Sequence, residues 1–156
     1  PPMKRSIMLI AGLCALGCGS KDNISVSATV SEVKLTVTEK TLGTQLSGSF
    51  SLELEVGAQA ERAATVELGS FSLARQGATL VGGLKVVPQG VTFPVKVGTG
   101  DSKTIPFVLD DSALLPASDK ANLCSGEVQL VGAVTHDLNG GETKPLQGSP
   151  GLPSGC

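Results

Sequence analysis

The segment SFSLELEV, residues 49–56, decides the fold, because it alternates apolar and polar residues without interruption. Successive side chains of a β-strand point to opposite faces, so a repeat of two places all the apolar residues on one face. The other face then carries only serine and glutamate, which stay in water. The segment therefore predicts a strand that covers a hydrophobic core, with Phe50 and Leu54 directed inward.

The same repeat returns in three further segments: residues 91–97, 105–109 and 128–134. Residues 26–37 are also strand-like, but their apolar positions change from even to odd numbers near Ser31. A similar change occurs at Gly69 and Ser70. One extra residue in a strand shifts the alternation in this way, so we predict a β-bulge or a turn at both places.

Proline and glycine positions predict where strands end. Pro94 and Pro106 lack a backbone N–H, so each is expected at a sheet edge or a bulge. The pair Asn139-Gly140 predicts a hairpin between two strand-like segments, because both residues tolerate a positive φ. The apolar stretch around Gly82-Gly83 is compatible either with a hairpin in the core or with an exposed edge that accepts a partner strand.

The one segment that favours a helix is residues 111–122. Asp111 is a candidate N-cap, but Pro116 interrupts the segment, so we expect at most a turn or two. About seven to nine short strands separated by turns are typical of an antiparallel β-sandwich, Ig-like in the loose sense. A small β-barrel is the alternative, since its strands also bury one face. We expect a single all-β domain over residues 24–156.

The composition argues against several classes of protein. Of the 156 residues, 40% are hydrophobic and 17% are charged, which is typical of a globular chain and not of a disordered one. The aromatic residues are four phenylalanines, and Trp and Tyr are absent. Since the net charge is −2 and there is no basic run, we do not expect the chain to bind nucleic acid.

The N-terminal residues have the architecture of a secretory signal. We take Met3 as the translation start, and Lys4 and Arg5 place positive charge before the uncharged apolar residues 7–16. A helix of that length covers roughly half of a ~30 Å bilayer core, so it is too short for a permanent membrane span. We expect residues 1–17 to be a signal peptide.

The residues Ala15-Leu16-Gly17-Cys18 resemble the lipobox of bacterial lipoproteins, although that family most often has leucine where this chain has Ala15. The resemblance implies cleavage before Cys18, a covalent lipid on its thiol and anchoring in a membrane. By analogy with enteric bacteria, Gly19 in place of aspartate favours the outer membrane. An ordinary signal-peptidase site is the alternative, with cleavage at the same bond and an unmodified Cys18.

Cysteine parity favours the lipid-modified form. Cys14 leaves with the signal, and a lipid on Cys18 leaves Cys124 and Cys156 to pair, whereas an unmodified Cys18 is an odd thiol. No C-x-x-C motif indicates a redox or zinc pair, so we expect a structural disulfide in an oxidising compartment. Residues 18–23 then form a polar tether between the lipid and the domain.

Groups for catalysis are sparse in the sequence. His136 is the single histidine, and Asp137 beside it points to the opposite face of a strand, so the two do not form part of a triad. The sequence lacks the nucleophile-elbow, zinc-protease and P-loop motifs. We interpret His136 as a structural residue and predict that the protein is not an enzyme and needs no cofactor.

Two acidic groups are weak candidates for calcium. Asp137, Asn139 and Glu142 surround a Gly-Gly turn, and Asp110 with Asp111 forms the second group. Calcium loops of the EF-hand type place oxygen ligands at alternate positions before a distant glutamate, and the first group departs from that spacing. A calcium-binding domain is therefore kept as an alternative to a metal-free one.

Together these features predict a non-enzymatic lipoprotein of the bacterial cell envelope, with a role in structure, adhesion or protein contact. Its expected partners are the membrane, through the lipid on Cys18, and a further envelope protein. One alternative is a lipoprotein that binds calcium or a small ligand. The other is an accessory or inhibitor module for an envelope enzyme.

Overall fold

The computed structural model describes residues 24–156. The predicted signal peptide, the lipidation site Cys18 and the tether lie in residues 1–23, outside the described residues. The elements, in chain order, are β1 (Val26–Lys40), β2 (Gly43–Val56), β3 (Ala64–Arg75), β4 (Ala78–Leu84), β5 (Val86–Pro88), β6 (Val95–Val97), β7 (Ser102–Leu109), β8 (Leu114–Leu115), α1 (Ser118–Cys124), β9 (Gln129–His136), a 3₁₀ turn (Leu138–Gly140) and β10 (Glu142–Gln147).

Two open antiparallel sheets pack face to face around one core. The strand order of the first sheet is β1-β2-β7-β5, with β8 also paired to β2. The order of the second sheet is β10-β9-β3-β4, with β6 also paired to β3. Both sheets keep free edges in the described part of the chain, so the predicted sandwich is confirmed and the small-barrel alternative is wrong.

The long strands define two ends of the sandwich. The near end contains the start of β1, the β2–β3 loop and the β9–β10 turn, and the far end contains the β1–β2 turn and α1.

All four aromatic side chains form one cluster that joins the sheets. Phe50 and Phe107, cross-strand neighbours in the first sheet, stack with their ring centroids 4.9 Å apart. Phe71 of the second sheet lies 5.5 Å from Phe50, and Phe93 lies 5.9 Å from Phe107. Aromatic pairs contribute about 0.5–1.5 kcal/mol beyond the area they bury, so this cluster is a main link between the two layers.

The alternation in residues 49–56 is confirmed as β2, whose inward residues Phe50, Leu52 and Leu54 are at most 2% exposed. The predicted strand at residues 91–97 is only partly correct, because the last three residues alone form β6. Pro94 cannot donate to a ladder and Phe93 turns inward against Phe107, so the chain joins the sheet only after them.

Both predicted irregularities are present as register shifts. The pairing of β1 with β2 shifts between Ser31 and Lys34, and Glu32 there has a φ of 53°. The pairing of β3 with β9 shifts between Leu68 and Phe71. The change of phase in the sequence therefore marked the two bulges correctly.

Pro106 lies in β7, an interior strand, yet its missing N–H leaves the ladder to β2 intact. Its carbonyl accepts a hydrogen bond of 2.8 Å from the N–H of Gln89, on the side of β5. The N–H and C=O of one strand residue point to the same side, so the proline nitrogen also faces that side. The pairing of β5 ends at Pro88, opposite Phe107, so Pro106 lies where an edge strand stops.

The helix α1 is as short as predicted, seven residues, but it begins after Pro116 and Asp111 does not cap it. The first part of the predicted helix is β8 instead, because Leu114 and Leu115 pair with β2. The carboxylate of Asp111 accepts a hydrogen bond of 3.2 Å from Nε2 of Gln45.

The hairpin predicted at Asn139-Gly140 is confirmed, since His136 of β9 pairs with Glu142 of β10. Asn139 and Gly140 have φ values of 54° and 84°. The connection is longer than a two-residue turn because a 3₁₀ turn intervenes, and this turn buries Leu138 in the core.

The apolar stretch around Gly82-Gly83 forms β4, an edge strand of the second sheet, which among residues 24–156 pairs with β3 alone. Val81 enters the core, at 7% exposure. The stretch is therefore one strand of the β3–β4 hairpin and also an edge of the second sheet.

Residues 148–156, here called the C-terminal strap, cross from the second sheet to the first. Gly151 exchanges two hydrogen bonds of 2.9 Å with Val128. Ser154 then donates to the carbonyl of Leu35 and accepts from the N–H of Val37, each at 2.8 Å. The strap thus forms a parallel bridge on the outer edge of β1 in its far half.

The predicted disulfide between Cys124 and Cys156 is confirmed, and the two Cα atoms are 5.3 Å apart. It joins the end of α1 to the end of the C-terminal strap. The bond therefore holds the strap against β1.

Candidate functional site

The single histidine is a core residue at the near end of the sandwich. His136 is 1% exposed, and both ring nitrogens lack a hydrogen-bond partner among the described residues. Nε2 lies 3.7 Å from Oε2 of Glu142, its cross-strand neighbour. Burial lowers the pKa of His136, although the charge of Glu142 acts in the opposite direction. Burial thus favours the neutral form of the imidazole.

Asp137 stabilises the β9–β10 turn. Its Oδ1 accepts a hydrogen bond of 2.7 Å from the N–H of Thr65, and Oδ2 accepts one of 2.7 Å from Nη1 of Arg62. Nη2 of Arg62 also donates to the Asp137 carbonyl at 2.7 Å. The Thr65 N–H and the guanidinium lower the pKa of Asp137 to about 2. This carboxylate therefore already has its charge and its oxygen atoms satisfied by the protein.

Glu142, the other carboxylate among the calcium candidates of this turn, is also hydrogen-bonded within the protein. Oε1 of Glu142 accepts a hydrogen bond of 2.7 Å from Nζ of Lys144, which lowers the pKa of Glu142. Asn139 has the left-handed backbone conformation that the turn requires.

The second calcium candidate pair lies apart from the first. Asp110 follows β7 and accepts hydrogen bonds from Ser112, which lower its pKa. Asp111 contacts Gln45 near the start of β2, at the far end, whereas Asp137 and Glu142 lie at the near end. In the described part of the chain, no group of three or more His, Cys, Asp or Glu side chains is placed to hold a metal ion.

Arg75, which the sequence did not single out, fixes the disulfide region. Its guanidinium donates to the carbonyls of Asn122 and Gly126, each at 2.9 Å, and to the hydroxyl of Ser125 at 2.7 Å. It also reaches the carbonyls of Leu123 and Glu127, each at 3.2 Å. A planar cation with five donors suits the unpaired carbonyls at a helix C-terminus. No sequence motif predicts this role of Arg75, because the groups that accept its hydrogen bonds are mainly backbone carbonyls from another part of the chain.

The outer edge of β1 is open in its near half. The carbonyl of Ser25 accepts from the N–H of Gly57 at 2.9 Å, so it faces β2. The N–H and carbonyl of Val56, opposite Val26, instead bond to residues 100 and 101 on the other side of β2. Alternate residues of a strand present their N–H and C=O groups to opposite sides. Val26 and Ala28 therefore present theirs to the outer edge.

The same alternation places the N–H and C=O of Val30 at this outer edge, before the bulge at Ser31. None of the described residues forms a backbone hydrogen bond with Val26, Ala28 or Val30 at that edge. In the far half, by contrast, Leu35 and Val37 bond to the C-terminal strap. The edge of β1 is thus covered in one half and open in the other.

A groove of about 510 Å³ runs beside this open half. Its walls come from the start of β1, the end of β2 and the outer strand β10. The residues that line it are Ser25, Val26, Ser27, Ala28, Thr29, Glu53, Glu55, Gly57, Lys144 and Pro145. The hydroxyl of Ser25 is buried and has no hydrogen-bond partner among the described residues. We call this feature the β1 groove.

Two carboxylates and one ammonium group line the β1 groove. Glu53 and Glu55 lie two residues apart on the outer face of β2, opposite Thr29 and Ser27 of β1. Lys144, on the other wall, donates to Glu142, so its positive charge is already balanced locally. The sequence showed the two glutamates as the wet face of a strand, but it gave no sign that a groove lies beside them.

No helix in the described part of the chain has the length and apolarity needed to cross a membrane. Comparison with known proteins finds no matching family model, no matching curated protein and no matching solved structure.

Proposed function

We propose that this chain is a non-enzymatic lipoprotein of the bacterial cell envelope, anchored through Cys18, whose β-sandwich serves protein contact. The Cys124–Cys156 disulfide is the observation that carries the proposal most directly. Such bonds persist in oxidising compartments, which is where the predicted signal peptide would deliver the chain.

Cysteine pairing also supports the lipid. The chain has four cysteines, and two of them are joined to each other in the domain. Of the other two, Cys14 belongs to the predicted signal peptide, which leaves Cys18 as the single free thiol of the mature chain. A thioether-linked lipid on Cys18 removes this odd thiol. Several acyl chains on one residue hold a protein at a membrane far more firmly than one chain does.

The polar side chains support a role without catalysis. His136 is buried, and Asp137 and Glu142 are held by Arg62 and Lys144. The carboxylates of Asp137 and Glu142 are thus engaged by cations of the protein itself. The open sheet edges and the β1 groove suit contact with another protein.

The anchor is tested by mass spectrometry of the mature N-terminus, after expression of the full chain in a bacterium that processes lipoproteins. We expect the first residue to be Cys18 with the mass of a diacylglycerol and of any further acyl chain. A Cys18→Ala variant is expected to move from the membrane fraction to the soluble fraction. A mature chain that begins at an unmodified Cys18 and is freely soluble would refute the anchor.

Cys14→Ala is the matched control for this experiment. It removes a thiol of the same segment, four residues before Cys18, and leaves the predicted cleavage site untouched. We expect it to be acylated and membrane-bound like the unmodified chain. Loss of acylation in both variants would mean that the substitutions impair export and would not support Cys18 as the acylated residue.

A further inference from the structure

We propose that the β1 groove binds an extended basic segment of a partner protein, which adds to the first sheet as a further strand beside Val26, Ala28 and Val30. This proposal rests on the protein-contact role above and names its site and the chemistry of its partner. It does not depend on the lipid, because every residue that carries it lies within the described domain.

The backbone of β1 defines the shape of the partner. Val26 and Ala28, which line the groove, and Val30 next to it present a row of N–H and C=O groups at the outer edge of β1, without a partner among the described residues. Only another strand offers complementary groups at the same spacing over several residues. The edge is about 15–17 Å long for five residues, which is a common strand length.

The C-terminal strap shows that the same edge of β1 accepts backbone hydrogen bonds from another segment. The C-terminal strap already bonds to Leu35 and Val37 on the same side of β1, in parallel orientation. The bulge at Ser31 and Lys34 separates this occupied half from the open half. An incoming segment in the β1 groove therefore continues an interface that the chain uses for its own tail.

The opposite wall of the groove does not compete for the segment. Gly148, after β10, donates to the carbonyl of Leu130, so alternate residues of β10 face β9. Pro145 then faces outward, and it has no N–H to donate. A proline at this position protects an edge strand from pairing, so β1 is the edge that takes the added strand.

The charges select a basic segment. Side chains of an added strand that point outward lie beside Ser27 and Thr29, on the face that carries Glu53 and Glu55. A lysine or arginine beside Thr29 can reach across β1 to the carboxylate of Glu53. Lys144 repels such a segment only weakly because Glu142 is bonded to it. Apolar residues at the intervening positions would point toward Val26 and Val30.

Hydrogen exchange of the purified mature protein, followed by NMR, tests the site. In the free protein we expect fast exchange for the amides of Val26, Ala28 and Val30 and slow exchange for those of Ser27 and Thr29, which bond to β2. A short synthetic peptide that alternates lysine and valine is then added. We expect it to slow the three outer amides, and its glutamate–valine counterpart to leave them unchanged.

Substitutions provide the second test. Ala28→Pro removes an N–H that β2 does not use, so we expect a folded protein that no longer binds the peptide. Ala28→Ser keeps that N–H and should bind. Glu53→Gln should weaken binding roughly two- to fivefold, whereas Glu67→Gln, the same change on the outer face of the second sheet, should not. If Ala28→Pro fails to fold, the exchange pattern and the two glutamine variants still show whether the peptide binds at the outer edge of β1.

Several results would overturn the proposal. The first is equal binding of the lysine–valine and glutamate–valine peptides. The second is unchanged peptide binding by Ala28→Pro. The third is slower amide exchange in β4, and not in β1, when the peptide is added. Protection that appears without peptide and rises with protein concentration would assign the edge to a second copy of the chain. The titration is repeated on Cys18→Ala protein, where the same affinity is expected. A Cys18→Ala chain that stays in the membrane refutes the anchor alone, and peptide binding remains a separate result.

Discussion

The ring of Phe71 in β3 covers Gly132, its cross-strand neighbour in β9. A Cβ added at Gly132 would lie 2.5 Å from Cδ1 and 2.7 Å from Cε1 of that ring. Gly132 therefore occupies an apolar position of the strand repeat because a larger residue there would displace Phe71. The ring fills the space that the missing side chain leaves and also contacts Phe50 of the other sheet.

Gly132→Ala should consequently destabilise the domain. Phe71 must leave its position in the aromatic cluster or the two strands must separate, and such overpacking typically costs about 1–3 kcal/mol. Gly82→Ala is the control, since its nearest neighbour is Cγ2 of Thr79 at 3.9 Å. Urea denaturation at neutral pH measures both. Equal stability of the two variants would contradict the role given to the Phe71–Gly132 contact.

Arg75→Met should loosen the far end of the sandwich. The substitution keeps much of the aliphatic volume but leaves the carbonyls of Asn122, Leu123 and Gly126 without their shared donor. Hydrogen bonds from a charged group are worth about 1.5–3 kcal/mol in buried settings, so a loss near the lower bound is expected at this half-exposed residue. Amide exchange should accelerate in α1 before it does in β2. Equal acceleration of amide exchange throughout the domain would contradict a role of Arg75 that is confined to the far end.

His136 should make the domain acid-sensitive. The pKa of this histidine is lowered in the folded state by burial, so the unfolded chain binds a proton first as the pH falls. The free energy of unfolding should thus decrease as the pH falls from about 6.5 toward the lower folded pKa. Thermal unfolding of the unmodified chain and of His136→Gln at a series of pH values measures this. The variant should lack the decrease in that range, and an identical pH dependence would refute the assignment.

Removal of the disulfide should lower stability substantially. Cys124 and Cys156 are 32 residues apart, and closing a loop of that size stabilises a folded chain by about 3–4 kcal/mol in the chain-entropy model. The double variant Cys124→Ala, Cys156→Ala should also release the C-terminal strap, so the amide of Val37 should exchange faster. Urea denaturation and hydrogen exchange follow the two effects separately. A fully protected Val37 in the double variant would show that the strap holds without the bond.

Calcium should not stabilise the domain. Asp137 is held by Arg62 and Thr65, Glu142 is held by Lys144, and Asp110 and Asp111 lie toward the opposite end from them. We expect the Tm in millimolar calcium to equal the Tm in a calcium chelator. A rise in Tm that Asp137→Asn abolishes would establish the calcium-binding alternative. A rise abolished by Asp111→Asn would place the ion at the second group.

The residues with a clear local pattern determined a large part of the fold. Alternation fixed which face of β2 is buried, and the changes of phase near Ser31 and Gly69 marked the two bulges. Asn139-Gly140 predicted its hairpin through backbone conformation alone. The pairing of Cys124 with Cys156 followed from counting cysteines. Each of these properties depends either on residues that are neighbours in the chain or on the number of cysteines, and both can be read from the sequence.

The tertiary structure decided what depends on residues far apart in the chain. Residues 114–115 form β8 because β2 offers an edge there, and Arg75 has acceptors only once α1 is folded. The β1 groove exists because the strap bonds to β1 only at Leu35 and Val37 among the described residues, beyond the bulge, and because Pro145 lines the opposite wall. Local propensity is too weak to set such pairings, since the hydrogen bonds and buried area that fix them form only when the two sheets come together.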